Sequence, residues 1–509
     1  MDTSPDGARR VGLKPDPRNP FRSLLITLLL TTTPLFAAPV GRLPAEVTDA
    51  LRAAGIPAAS YAAVVLDANG RTLLSHNADA PMNPASVMKI VTTFAGLDRL
   101  GPAYVWRTEV YATGAVENGR LRGDLILKGG GDPGLTMEAF WMLLRDVRAR
   151  GITVIDGDLV VDRSAFAVPD EDPGRFDGEP TRPYNAAPEA LLLNHRSIRL
   201  TFLPDAAAQT VRILPEPALP DVTIANELTL GAGPCNGWPQ KPDADLPGRR
   251  LTFRGTYPLA CGEKVRHFLS LSPLEYTGAL FGDVWRGLGG SFSGKVREAP
   301  VPADARLVTV AVSRPLADIV KDINKHSNNV MARQLFLTLG RTNGAPATLD
   351  AARAAVMRWA DERGLAAPEL VVENGSGLSR AERISAGSLA RLLRVAQESP
   401  VAPEFVASLP LAGNDGTLER WFLGSPVAGR AHLKTGYIEG VRGIAGYVHG
   451  EGGRTSVVVG LVNHPNAIGA TAAQEALVRW ALTMSNAGCC TGMRRADPQF
   501  PSKPPTPAR

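Results

Sequence analysis

Apolar residues along the chain recur with a period that changes twice. From Val40 to about Leu100 the pattern predicts a short helix, a hairpin and a longer helix. The hairpin strands are Tyr61-Ala-Ala-Val-Val-Leu66 and Thr72-Leu-Leu74, separated by the turn residues Asp67-Ala-Asn-Gly70. Asn83-Pro84 opens the longer helix, in which Ile90, Phe94, Leu97 and Leu100 recur at helical spacing and Gly101 ends the run. Between about residues 105 and 305 the texture becomes β-rich. Short alternating runs such as Gly123-Asp-Leu-Ile-Leu-Lys128 and Gly157-Asp-Leu-Val-Val-Asp162 stand between Gly, Pro and Asp clusters, interrupted by a helix expected at Met137 to Arg150. Helical spacing returns from about Leu307. Strands follow at Gly443 to His449 and Thr455 to Val462, with a last helix near Ala472 to Met484. Helix and strand at both ends with a β-rich middle predict one α+β domain split by a large insertion. There is no internal repeat.

At 509 residues the chain has room for about two to four domains. Its 44% hydrophobic and 21% charged residues exclude wholesale disorder, collagen and coiled coil. The net charge of +5 is small and not blocked along the chain, so nucleic acid is not an expected partner. Arg18 and Arg22 precede an apolar run, Ser23 to Phe36, and small residues Ala37 and Ala38 follow it. That is the form of a secretory signal over residues 1–38, and the run is short for the roughly 20 residues a bilayer needs. Arg9-Arg10 ahead of it hints at twin-arginine export. No later stretch is long and apolar enough to span a membrane, so the expected location is the periplasm or cell envelope. In that oxidising space Cys235 and Cys261, which bracket a turn-rich stretch, are expected to form a disulfide. Residues 486–509, with Cys489 and Cys490, read as a flexible tail without chemistry of their own.

Three short motifs carry candidate chemistry. In Ser86-Val-Met-Lys89 the two polar residues lie on one face of a helix, so the amine reaches the hydroxyl. An alcohol becomes a nucleophile when a base takes its proton, and lysine serves when burial or a nearby cation keeps it neutral. Ser327-Asn328-Asn329 falls between two helical runs, Leu316 to Ile323 and Val330 to Leu339, which places a hydroxyl and an amide at a helix junction. Lys434-Thr435-Gly436 precedes a hairpin, and a cation beside a hydroxyl on a strand edge suits a carboxylate, while glycine admits a ligand backbone. Taken singly, each has an ordinary reading as a solvated helix face, a capping cluster or an exposed strand end.

Together and in this order the three motifs resemble the signatures of the penicillin-binding, active-site serine enzymes. The 241 positions from Ser86 to Ser327 resemble the low-molecular-mass class C members, D-alanyl-D-alanine carboxypeptidase/endopeptidases of the penicillin-binding protein 4 type. Further stretches agree: Gly129-Gly-Gly-Asp-Pro133, Tyr184-Asn-Ala-Ala-Pro188, Asn374-Gly-Ser-Gly-Leu-Ser-Arg380 and Leu409-Pro-Leu-Ala-Gly413. The resemblance implies a penicillin-binding/β-lactamase-like domain, an antiparallel sheet flanked by helices, in two parts at 39–105 and 306–485. Between them it implies inserted β-rich domains at 106–305, the second nested at about 185–265.

It also implies roles. Ser86 attacks the carbonyl between two terminal D-alanines of a peptidoglycan stem peptide, Lys89 acts as base, and Ser327 and Asn329 relay the proton and hold the substrate amide. Lys434 and Thr435 bind the terminal carboxylate beside Gly436, and the backbone N–H groups of Ser86 and Tyr437 form the oxyanion hole. β-Lactams mimic the terminal dipeptide and acylate Ser86. Glu179 and Tyr184 match an acid and an aromatic of the stem-peptide pocket. Arg380 is placed to meet a free carboxylate of the diamino acid, and Glu439 replaces a neutral amide, favouring an amine there. No cofactor and no metal are implied; the seven histidines are scattered, with no zinc-type spacing. A β-lactamase-like hydrolase and a non-catalytic peptidoglycan-binding module on the same scaffold remain the alternatives.

Overall fold

The computed structural model describes residues 41–169, 171–236, 243–245, 249–341 and 345–487. The expected signal at 1–38, the tail beyond Ala487 and Cys489 and Cys490 lie outside the described residues. After helix α1 (Ala45–Ala53), strands β1 (Tyr61–Leu66) and β2 (Thr72–His76) form the expected hairpin. Its turn closes on the Asp67 carboxylate, which accepts the amides of Asn69 and Arg71. Helix α2 (Lys89–Leu100) then differs at its start from the sequence reading. Asn83-Pro84 does not open an α-helix; residues Ala85–Met88 form a 3₁₀ turn first. The reason is local: the Asn83 side chain accepts the Ala85 amide, and Ala85 sits at φ +47°, where an α-helix cannot pass.

The middle of the chain builds four sheets. Its first part runs through β3 (Arg107–Ala112), β4 (Val116–Glu117), β5 (Arg120–Leu121), β6 (Leu125–Lys128), helix α3 (Met137–Ala149), β7 (Val154–Ile155) and β8 (Leu159–Asp162). Next come β9 (Ser197–Asp205), β10 (Thr210–Glu216), β11 (Thr223–Gly231), β12 (Asp243–Asp245), β13 (Arg250–Pro258) and β14 (Lys264–Leu269). These six pair only among themselves, as β10-β9-β14 and β11-β13-β12. Cys235 and Cys261 are joined there, as expected, with Cα atoms 4.7 Å apart. Helix α4 (Pro273–Gly287) leads back to β15 (Ser291–Phe292), β16 (Val296–Glu298) and β17 (Arg306–Val312), which complete the sheets β15-β7-β5-β4 and β16-β8-β6-β3-β17. Here the boundary at 305/306 and the return to helices at Leu307 need correction. Arg306–Val312 is a strand pairing with β3, because its β-branched run of Val308, Thr309, Val310 and Val312 favours a pleated edge. One apolar cluster, including Phe140, Phe202, Phe253 and Trp285, runs through the whole segment.

The closing part supplies α5 (Leu316–Lys325), α6 (Asn329–Leu339), α7 (Leu349–Glu362), α8 (Ala386–Glu398) and α9 (Ala402–Ser408). Strands β18 (Ala431–Ile438), β19 (Val441–His449) and β20 (Thr455–Asn463) and helix α10 (Thr471–Ala487) end it. The strands join the first hairpin in one antiparallel sheet, β18-β19-β20-β1-β2, so segments almost 400 residues apart lie side by side: Val64 faces Val459. Both faces of β20 are apolar because helices cover both. Val458 and Val462 pack with Leu51, Leu477 and Val478 of α1 and α10, while Val457, Val459 and Leu461 join Phe94, Leu335, Trp359 and Leu393 on the other side. Each such large side chain contributes roughly 1.5–3 kcal/mol by leaving water. The result is the expected α+β architecture, a helix-flanked antiparallel sheet interrupted by a long β-rich segment.

Candidate active site

Ser86 lies in the 3₁₀ turn and Lys89 is the first residue of α2, so the two side chains sit one turn apart. The turn is anchored from two sides. Asn463 of β20 accepts the Asn83 amide at 2.8 Å and donates to the Asn83 carbonyl, and the Asn83 amide group donates to the Ser379 carbonyl at 2.8 Å. Glycines bring the neighbours close. A Cβ on Gly436 of β18 would stand 2.5 Å from the Pro84 carbonyl and 3.0 Å from the Ser86 nitrogen, and one on Gly377 would overlap the Ala85 carbonyl.

Lys89 is fully buried, and its Nζ donates to three oxygens: Ser86 Oγ at 2.9 Å, Asn329 Oδ1 at 2.6 Å and the Ser376 carbonyl at 2.5 Å. Two of these partners accept hydrogens whatever the charge of the amine. The third direction, toward Ser86 Oγ, is where a neutral amine presents its lone pair. Burial holds the Lys89 ammonium well below the usual lysine range; Lys434 and Arg333 push the same way and Glu382 opposes them. A neutral amine against a hydroxyl is an arrangement for taking that hydroxyl's proton.

Ser327 links α5 to α6 at φ +53°, a left-handed conformation uncommon for a residue with a Cβ. Its hydroxyl faces β18, where Lys434 Nζ donates to Ser327 Oγ at 2.9 Å and to the Thr435 carbonyl at 2.8 Å. Asn328 caps α6 by accepting the Met331 amide, which leaves Asn329 to face Lys89. Lys434 is fully buried, and burial lowers its ammonium to about 7. Thr435 Oγ1 shares a hydrogen bond with Thr417 Oγ1 at 2.8 Å. Tyr437 is 51% exposed at the rim, with the Arg442 guanidinium over its ring. The three motifs therefore come together: Lys89 joins Ser86 and Asn329 by hydrogen bonds, Lys434 joins Ser327, and Gly436 of β18 stands against the turn that carries Ser86.

The outer residues form contacts of their own. The Tyr184 hydroxyl donates to Asp177 Oδ2 at 2.8 Å. Asn185 Nδ2 donates to Asp177 Oδ1, and the Glu179 amide does so too. The Glu179 carboxylate meets Arg182 at 3.6 Å. Burial, then the bond to Asp177, pushes the Tyr184 phenol up to about 12. Arg380 spans to Glu439, donating to its carbonyl at 2.6 Å and approaching Oε2 at 3.4 Å, with its guanidinium over the Phe176 ring. A cavity of about 520 Å³ lies next to these groups, lined by Phe176, Asn185, Arg333, Asn374 and Arg380, but not by Ser86 or either lysine. Asp177, seven residues before Tyr184, belongs to no motif that would mark it in the sequence. Ser376 lay inside the quoted Asn374–Arg380 stretch, but a backbone carbonyl leaves no mark in residue identity.

The chain is similar to known proteins over nearly all of its described length. A family model described as D-Ala-D-Ala carboxypeptidase 3 (S13) matches residues 43–484. A D-alanyl-D-alanine carboxypeptidase of an Actinomadura species is 30% identical over 420 residues, 78% of this chain and 76% of that protein. The D-alanyl-D-alanine carboxypeptidase DacB of Haemophilus influenzae is 24% identical over 403 residues, 79% of this chain and 82% of its own. The crystal structure of penicillin binding protein 4 from H. influenzae superposes with a TM-score of 0.73 at 23% identity, over 86% of this chain and 99% of that one.

Proposed function

Because the chain belongs to the D-Ala-D-Ala carboxypeptidase 3 (S13) family, it is a serine-type D-alanyl-D-alanine carboxypeptidase, and we propose that Ser86 is the hydroxyl it acylates. The observation that carries this reading is the 2.9 Å contact between Ser86 Oγ and the buried amine of Lys89. Lys89 takes the Ser86 proton as Oγ bonds to the carbonyl carbon between the last two D-alanines of a stem peptide. The oxyanion is met by the N–H groups of Ser86 and Tyr437, where loss of one donor costs about 3 kcal/mol. The proton passes through Ser327 to the leaving nitrogen, the C–N bond breaks and D-alanine departs, leaving an ester on Ser86. Water then attacks the ester carbon with Lys89 accepting its proton, the carbon–Oγ bond breaks, Lys89 returns the proton to Ser86 Oγ, and the shortened peptide is released. Lys434 and Thr435 hold the terminal carboxylate, and Asn329 holds the substrate amide while fixing Lys89.

Penicillins enter the same cycle: the β-lactam C–N bond opens on Ser86 and the acyl group persists. Labelled penicillin is expected to modify wild type and not Ser86→Ala, which also releases no D-alanine; labelling retained in that variant would end the assignment. Outside the reactive centre, the Asp177–Tyr184 pair and the Arg380–Glu439 bridge form the wall facing the rest of the stem peptide. Glu439 occupies the guanidinium that a free substrate carboxylate would seek, so this wall favours an amine or an uncharged group over an anion. The long β-rich segment, residues 106–305 in the sequence reading and extended through β17 by strand pairing, supports a second use, endopeptidase cleavage of cross-links. Purified dimeric muropeptide should then yield monomer, and intact dimer after incubation would remove this half. Export to the periplasm or cell envelope rests on the residues 1–38 pattern, and among the described residues no helix is long and apolar enough to cross a membrane.

A further inference from the structure

Between α7 and α8 the chain buries a carboxylate completely, that of Glu382. Its Oε1 accepts three successive amides, those of Glu373 at 3.1 Å, Asn374 at 3.0 Å and Gly375 at 2.9 Å, while Oε2 has no hydrogen-bond partner among the described residues. Burial pushes the Glu382 carboxyl up, and the three consecutive N–H groups converging on Oε1, an anion nest, oppose that push together with Lys89 and favour the ionised form. Gly375 and Gly377, at φ +71° and +81°, let the backbone bend round that oxygen. Thr92 of α2 ties the loop from the other side by donating to the Gly375 carbonyl at 2.6 Å. The next carbonyl along, Ser376, is the one that receives Lys89 Nζ. The nest thus controls where one of the three acceptors around Lys89 stands.

The charges facing Lys89 make the acid more than a clasp. Lys434 approaches from β18 and Arg333 from α6, both cations, and Glu382 is the anion that opposes them. The other acids nearby are engaged elsewhere: Glu373 accepts the Ser379 hydroxyl, and Glu171 stands 4.0 Å from Arg333. Building on the reading of Lys89 as base, we propose that Glu382 is a positioning residue for acylation. It folds the 373–375 loop so that the Ser376 carbonyl meets Lys89, and its negative charge offsets the two cations crowding that amine.

The test is the second-order rate constant for acylation by a fluorescent penicillin, measured across pH. Glu382→Gln keeps the acceptor oxygen and removes the charge. Without the anion the Lys89 ammonium gives up its proton more readily, so the acid limb should move to lower pH by about one unit. Glu382→Asp keeps the charge and withdraws the acceptor; its limb should stay in place while the plateau falls about tenfold. A purely structural role would lower the rate at every pH in step with the folded fraction and leave the limb where it was. A Glu382→Gln limb coincident with wild type would overturn the proposal. Should that variant not fold, Thr92→Val tests the loop alone: a lowered plateau with an unmoved limb is expected, and a wild-type plateau would overturn the positioning role. Lys89→Met is run in parallel. If it acylates normally, the reading of Lys89 as base fails; if it is inert while Glu382→Gln matches wild type, only the present inference fails.

Discussion

Two buried lysines stand near each other, and the proposed cycle gives them separate tasks. Lys89 is surrounded by three oxygens, has no carboxylate in contact and is driven toward the neutral amine that a base requires. Among the described residues Lys434 has Ser327 Oγ and its neighbour's carbonyl as acceptors, and at about 7 its proton is held loosely. Binding a substrate carboxylate needs the charged form of Lys434. Turnover of carboxylate-ended peptides at low concentration should therefore fall as pH rises through about 7, and Lys434→Met should lower kcat/KM by about 100-fold. The same group makes stability depend on pH. Between about 7 and its ordinary 10.5, the unfolded chain binds a proton at this site that the folded chain has released. Unfolding then takes up a proton, so stability rises with pH across that window. Lys434→Met should flatten the rise of the thermal midpoint between pH 7 and 9 and exceed wild type at pH 6; a curve parallel to wild type would contradict the buried-amine account.

The turn carrying Ser86 and the edge strand carrying Lys434 work only because they touch through backbone. Gly436 provides the contact, and Gly377 does the same from the loop that holds Ser376. Gly436→Ala introduces a methyl 2.5 Å from the Pro84 carbonyl, which must move β18 outward or shift the turn. Overpacking of this kind costs about 1–3 kcal/mol. A shift of an ångström at the reacting atoms costs about 100-fold in rate. Acylation should therefore fall far more than the thermal midpoint, and proportionate losses in both would mean that the glycine serves stability alone. Helices and strands near the site were legible from periodicity, since α2, α5, α6, β19 and β20 fall where apolar spacing puts them. The first turn of α2 was not. A 3₁₀ turn and an α-helix place apolar side chains alike over four residues, and only the Asn83 and Ala85 conformations separate them.

Across the molecule, the reactive centre and the disulfide lie in different parts of the chain. Cys235 and Cys261 close a loop among β11, β13 and β14, none of which contributes a residue to the Ser86 cluster. In the chain-entropy account such a loop contributes about 3 kcal/mol to local stability. The double variant Cys235→Ala/Cys261→Ala should unfold earlier, by protease sensitivity at the β9–β14 sheets, while retaining wild-type penicillin acylation. Loss of acylation with the rest of the protein folded would show that the inserted segment reaches the reactive centre. The boundary of that segment was misread by one strand: β17 carries a strand's β-branched residues, but sequence alone does not say which sheet a strand joins.

What residue order determined here is local. Spacing put Ser86 and Lys89 within one turn, cysteine usage named a disulfide later found closed, and apolar runs bounded by turn residues gave four strands of the central sheet, β1, β2, β19 and β20. Those features depend on neighbours a few positions away or on composition, and both are written directly in the sequence. The tertiary structure alone decided that Tyr184 takes Asp177, that Arg380 is occupied by Glu439, and that a buried Glu382 shapes the carbonyl facing Lys89. Each is a choice among several acids or carbonyls within reach of a flexible side chain, and only packing of distant segments, with the charge and burial it imposes, selects one.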